Sequence, residues 1–77
     1  MHAQKPNAGT VELSIALLIE MIKELGRDIS AQAEHIDMLR GAGANAEELA
    51  EEDARLMRLA EAQRRAFARI AHTIANV

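Results

Sequence analysis

Apolar residues return along most of this chain in alternating steps of four and three, the spacing that keeps one stripe of an α-helix turned toward a neighbour. The first run is Val11, Ile15, Leu18, Ile22, Leu25, Ile29, Gln32, Ile36 and Leu39; the second is Leu49, Asp53, Leu56, Ala60, Gln63, Phe67, Ile70, Ile74 and Val77. Between them lies Arg40-Gly41-Ala42-Gly43-Ala44. Two glycines so close together end a helix and permit a reversal. The pattern predicts an all-α fold, an antiparallel, coiled-coil-like two-helix hairpin with helices over 10–40 and 45–76 and a loop over 41–44. Thr10 is the expected N-cap of the first helix and Asn45 of the second, with Glu48 three residues on as in a capping box. Residues 1–9 hold Pro6, Asn7 and Gly9 and no apolar period, so they are expected to form a flexible N-terminal arm.

Residues that face each other across a hairpin have numbers that add to a nearly constant sum. Pairing the two runs in order meets that condition to within one, from Leu39 with Leu49 near the turn to Val11 with Val77 at the open end. The same register sets opposite charges together: Arg40 with Glu48, Glu34 with Arg55, Arg27 with Glu61, Glu24 with Arg64, and Glu20 with Arg69. It also places Gly26 opposite Ala62, which allows close backbone approach.

Beyond this seam the first half of the first helix is apolar on most sides, adding Leu13, Ala16, Leu17, Ile19 and Met21. The second helix adds Met57, Leu59, Ala66, Ala68, Ala71 and Ala75, mostly toward the same open end. A lone core of 77 residues rarely suffices without a staple, and the chain has no cysteine to make one. Oligomerisation into a helical bundle is therefore expected, with Leu13, Leu17, Ile19, Met21, Leu59 and Ala66 at the interface. A helix of another protein would satisfy the same surface.

The net charge of −3 argues against a chain that grips long nucleic acid through its overall field. The longest apolar run, Leu13 to Ile22, is interrupted by Ser14 and Glu20 and is too short for a membrane span. It also lacks the start and cleavage site of a signal peptide, so a cytoplasmic location is expected. No phosphate-binding glycine loop, zinc-protease motif or nucleophile with an evident base is present, so neither an enzyme nor a cofactor is expected. His35 falls opposite Asp53 with Glu34 and Asp37 nearby, which reads as an interhelical His–carboxylate contact rather than a metal site, since three or four coherent ligands are missing.

Gln32 and Gln63 are polar positions in otherwise apolar runs, the usual means of fixing register; a role in reading a bound base is the alternative. The remaining chemistry is basic. Arg55, Arg58, Arg65, Arg69 and His72 follow helical steps along one stripe of the second helix. Arg58 has no acidic partner in the expected register, and Arg65 falls opposite Lys23. Such a meeting is either a solvated basic face or a phosphate or carboxylate site built from Lys23, Arg58, Arg65 and Arg69.

The segment Leu18-Ile19-Glu20-Met21-Ile22-Lys23-Glu24-Leu25-Gly26 resembles the first helix of the small phage-encoded anti-CBASS nucleotide sponges, and Phe67-Ala68-Arg69-Ile70-Ala71-His72-Thr73-Ile74-Ala75 is similar to their closing helix. That family consists of helical hairpins that assemble into oligomers and sequester cyclic oligonucleotide immune signals, and the resemblance implies that Lys23 contacts ligand phosphates. The family stacks bases on an aromatic near the start of its first helix, whereas the region around Ala8 carries none. Together these readings lead to a non-enzymatic, homo-oligomeric binding protein that sequesters a small anionic ligand such as a cyclic oligonucleotide. The alternative is an interaction or assembly module that docks a partner helix on its apolar face.

Overall fold

With its one proline at position 6 and no interior break before Gly41, the first half of the chain has nothing to stop a long helix. In a computed structural model that describes residues 8–76, α1 runs over Ala8–Gly41 and α2 over Ala46–Ala75. The two helices pack against each other as a hairpin, and no strand occurs among the described residues. At 1.5 Å per residue the 34 residues of α1 make a rod of roughly 51 Å. The helix starts at Ala8, two residues ahead of the expected Thr10, so Thr10 lies inside the first turn instead of capping it. The rest of the expected arm, residues 1–7, and the last expected seam position, Val77, lie outside the described residues.

The turn is made by hydrogen bonds that close the end of α1. The N–H of Gly43 donates to the Arg40 carbonyl at 3.2 Å, and the N–H of Ala44 donates to the Leu39 carbonyl at 2.9 Å. These are the two bonds of a Schellman cap, which needs a left-handed residue just past the helix. Gly43 supplies it at φ 82°, while Gly41 still belongs to the helix. Only one of the two glycines is thus required by the turn. Four residues after Gly41, Asn45 caps α2: its Oδ1 accepts from the Glu48 N–H at 2.8 Å and its Nδ2 donates to Glu48 Oε1 at 3.0 Å. Glu47 and Glu48 sit in the first turn of α2, where the helix dipole favours negative charge.

Burial shows which side of each helix faces the other. On α1 the inward positions are those expected, from Val11 and Ile15 through Gln32 and Ile36 to Leu39. On α2 one row stands as expected, with Leu49, Leu56, Gln63 and Ile70 turned inward. The other row is corrected by one position. Glu52, Leu59, Ala66 and Thr73 face α1, while Asp53 and Phe67 are exposed, as is Ile74. Side-chain size supplies the reason. Toward the open end the facing row of α1 is filled by Ile and Leu, so the helices close on Ala66 and Thr73 rather than on the larger Phe67 and Ile74, with Ala66 only 3% exposed. After this rotation the inward positions of the two helices can be matched by numbers that add to one constant, such as Ile36 with Glu52 and Ile22 with Ala66.

The ion pairs differ from those expected across the hairpin. Among the described residues, Lys23 pairs with Glu20, Arg27 with Glu24, Arg40 with Asp37 and Arg64 with Glu61, all three residues apart on one helix. Neighbours one turn away are already within reach and cost little side-chain ordering, so they win over longer reaches across the groove. Only His35 crosses, its Nε2 lying 3.4 Å from Glu52 Oε1 rather than against Asp53.

Candidate functional site

Two polar side chains tie the helices together inside the seam. Gln32 is 7% exposed and donates to Glu52; Gln63 is half-buried and donates from Nε2 to the Ile22 carbonyl at 3.3 Å. That carbonyl belongs to the helix turn ending at Gly26, and a Cβ built on Gly26 would stand 3.6 Å from Gln63 Nε2, an ordinary contact. The expected neighbour of Gly26, Ala62, is therefore replaced at the closest approach by the amide of Gln63. Each glutamine donates across the seam, and no buried side-chain nitrogen or oxygen among the described residues lacks a partner.

The basic stripe lies on one flank of α2. Arg58 and Arg65 are one heptad apart, as are Ala62 and Arg69, so all four follow one side of the helix. Among the described residues Arg55, Arg58, Arg65 and Arg69 make no ion pair, and each is exposed. Arg65 and Arg69 line a hollow of about 520 Å³ together with Leu18, Met21 and Leu25 of α1 and Ala62 and Ala66 of α2. Arg55 lines a smaller one of about 260 Å³ with Asp28, Ala31, Gln32 and Leu59. Lys23 is elsewhere. It lies 3.4 Å from Glu20 and lines a hollow made by α1 alone, with Gly26, Arg27 and Ser30 among its neighbours. A single hairpin therefore brings Arg65 and Arg69 to one hollow and leaves Lys23 out of it.

The apolar surface is distributed differently from the expected interface. Among the described residues only Ile36, Ala66 and Gln32 are buried. Leu13 and Leu17 are each 62% exposed, Met21 52% and Ile19 42%. Ala66 is inside the hairpin and Leu59 is half-buried, so these two serve the seam rather than an outer face. Met38, Met57, Phe67 and Ile74 are exposed as well, and the first two reach 72%. Nothing in the heptad spacing marked Phe67 and Ile74 as outward. The signal was the second apolar line beside the seam, since Leu59 and Ala66 stand one position before Ala60 and Phe67.

Among the described residues no group of three or more His, Asp or Glu side chains is placed to hold a metal ion. No described helix is long and apolar enough to cross a membrane. No protein-family model, curated protein or solved structure matches this chain.

Proposed function

We propose that this chain is a non-enzymatic assembly protein, a hairpin whose fold is completed by further helices laid on its outer apolar faces. One observation carries this reading. Eight large apolar side chains among the described residues are more than two-fifths exposed, while only two apolar residues are buried. Fully burying one Leu, Ile, Phe or Met side chain stabilises by about 1.5–3 kcal/mol relative to leaving it exposed, so covering several of these side chains would add substantially to what the seam supplies. Light scattering and thermal unfolding at several protein concentrations test it. Association and a midpoint that rises with concentration are expected. A stably folded monomer whose midpoint ignores concentration would overturn the reading.

A second reading, sequestration of a small anionic ligand, is favoured by the unpaired arginines. Arg65 and Arg69 stand one helical turn apart beside an apolar hollow, with Arg58 one heptad before Arg65. Guanidinium groups without carboxylate partners are free to take phosphate or carboxylate oxygens, and apolar walls suit the body of an organic anion. A cyclic oligonucleotide is the member of that class implied by the resemblance. Lys23 would join such a site only from a neighbouring copy. The two readings are compatible, because a bundle leaves some faces outside.

A further inference from the structure

The flank of the hairpin opposite the arginine stripe carries two adjacent heptad lines of α2. One is Asp53, Ala60, Phe67 and Ile74; the other is Ala50, Met57, Arg64 and Ala71. Phe67 is 56% exposed and Met57 72%. Beside them α1 presents a third line of small and apolar residues, Ile19, Gly26 and Ala33. Asp53 makes no ion pair among the described residues.

We propose that this face is covered by a second copy of the chain, running antiparallel, so that two hairpins close into a four-helix bundle about a two-fold axis near Met57 and Ala60. The inference rests on the assembly reading and names its partner. A two-fold of this kind pairs α2 residues whose numbers add to one constant. With the axis there, Met57 meets the partner's Ala60, Phe67 meets the partner's Ala50, and Asp53 meets the partner's Arg64. A large side chain faces a small one at the Met57 and Phe67 levels, and the unpaired acid faces a base.

The first helix obeys the same axis without further adjustment. Gly26 falls against the partner's Ala33, small against small. Charge along α2 selects the antiparallel sense. Glu47, Glu48, Glu51, Glu52 and Asp53 crowd its first half, whereas all five of its arginines follow. Head-to-tail neighbours set each acidic half toward a basic one. The same axis on the opposite flank would bring Arg58 onto the partner's Arg58, so that flank, with Arg65, Arg69 and their hollow, stays outside.

The full chain, its Asp53→Arg and Arg64→Asp variants, and their equimolar mixture are compared by light scattering over a dilution series. The wild type is expected at the mass of two copies. Each single variant sets like charges together at two symmetry-related places, and its dimer is expected to dissociate about tenfold more readily. The mixture restores opposite charges at both places and is expected to recover the wild-type dimer. Phe67→Glu is expected to give monomer, while Leu17→Glu, on the other flank, leaves the dimer intact. A mixture no tighter than its components, a trimer, or an oligomer broken by Leu17→Glu and spared by Phe67→Glu would overturn this face while leaving assembly standing. A wild-type monomer at every concentration would remove the assembly reading as well.

Discussion

Gln32 donates from its Nε2 to both the backbone carbonyl of Glu52 and that residue's Oε1, each at 3.0 Å. The carbonyl is an ordinary helix acceptor with a spare lone pair, so one amide nitrogen joins the helices at a point where a leucine would join nothing. Replacing Gln32 by Ala removes both bonds and leaves a small void, and is expected to lower stability by about 1–2 kcal/mol. Replacing Glu52 by Ala keeps the carbonyl contact and is expected to cost less. Urea unfolding of the two variants measures the difference, and equal losses would show that the carbonyl bond adds nothing.

Gly26 and Gln63 make the second tie, and here the expectation runs the other way. A methyl group at Gly26 would meet Gln63 Nε2 at 3.6 Å, an ordinary contact, so Gly26→Ala needs no rearrangement in the hairpin. Alanine is favoured over glycine inside a helix by about 0.8–1 kcal/mol. The variant is expected to unfold at higher denaturant with the same slope. A loss of stability would mean that the Gln63 bond to the Ile22 carbonyl cannot tolerate the methyl group.

The turn glycines separate by conformation. Gly43 holds φ 82°, where a Cβ costs roughly 1–2 kcal/mol, and Gly43→Ala is expected to destabilise by about that much. Gly41 is helical, and a Cβ there meets nothing within 4 Å. Gly41→Ala is expected to stabilise by about 0.5–1 kcal/mol through the helix end and the unfolded chain. Thermal or urea unfolding gives both signs, and opposite signs from the same method are the outcome that matters.

These cases show what the sequence made legible. The two helices, the turn and the Asn45 cap follow from periodicity and local chemistry, because each depends on neighbours within a few residues. The inward row of α2 does not. Leu59-Ala60 and Ala66-Phe67 offer two adjacent apolar lines with the same heptad step, and hydrophobicity prefers Phe67 although the close-packed seam takes Ala66. Choosing between them requires the size of what lies opposite, a property of the pair of helices rather than of either one. The basic site divides for the same reason. Arg65 and Arg69 follow α2 to a shared hollow, but rotation of the seam leaves Lys23 lining a different one.

Arg65 and Arg69 supply the last test, because stability and binding respond to them differently. Neither makes an ion pair among the described residues, so Arg65→Ala and Arg69→Ala are each expected to change unfolding free energy by less than about 0.5 kcal/mol. If the hollow takes an anion, each variant loses a charge-assisted hydrogen bond of about 1.5–3 kcal/mol and with it roughly ten- to hundredfold in affinity. Lys23→Ala, away from that hollow, is expected to leave the affinity of a single-hairpin site unchanged. Titration calorimetry with inorganic phosphate and a panel of cyclic di- and trinucleotides reads all three variants against the wild type. Absence of heat with any of them, or binding that survives both arginine substitutions, would leave the stripe as a solvated face. Binding lost on Lys23→Ala together with Arg65→Ala would instead locate the site between copies, where one hairpin contributes the lysine and its neighbour the arginine.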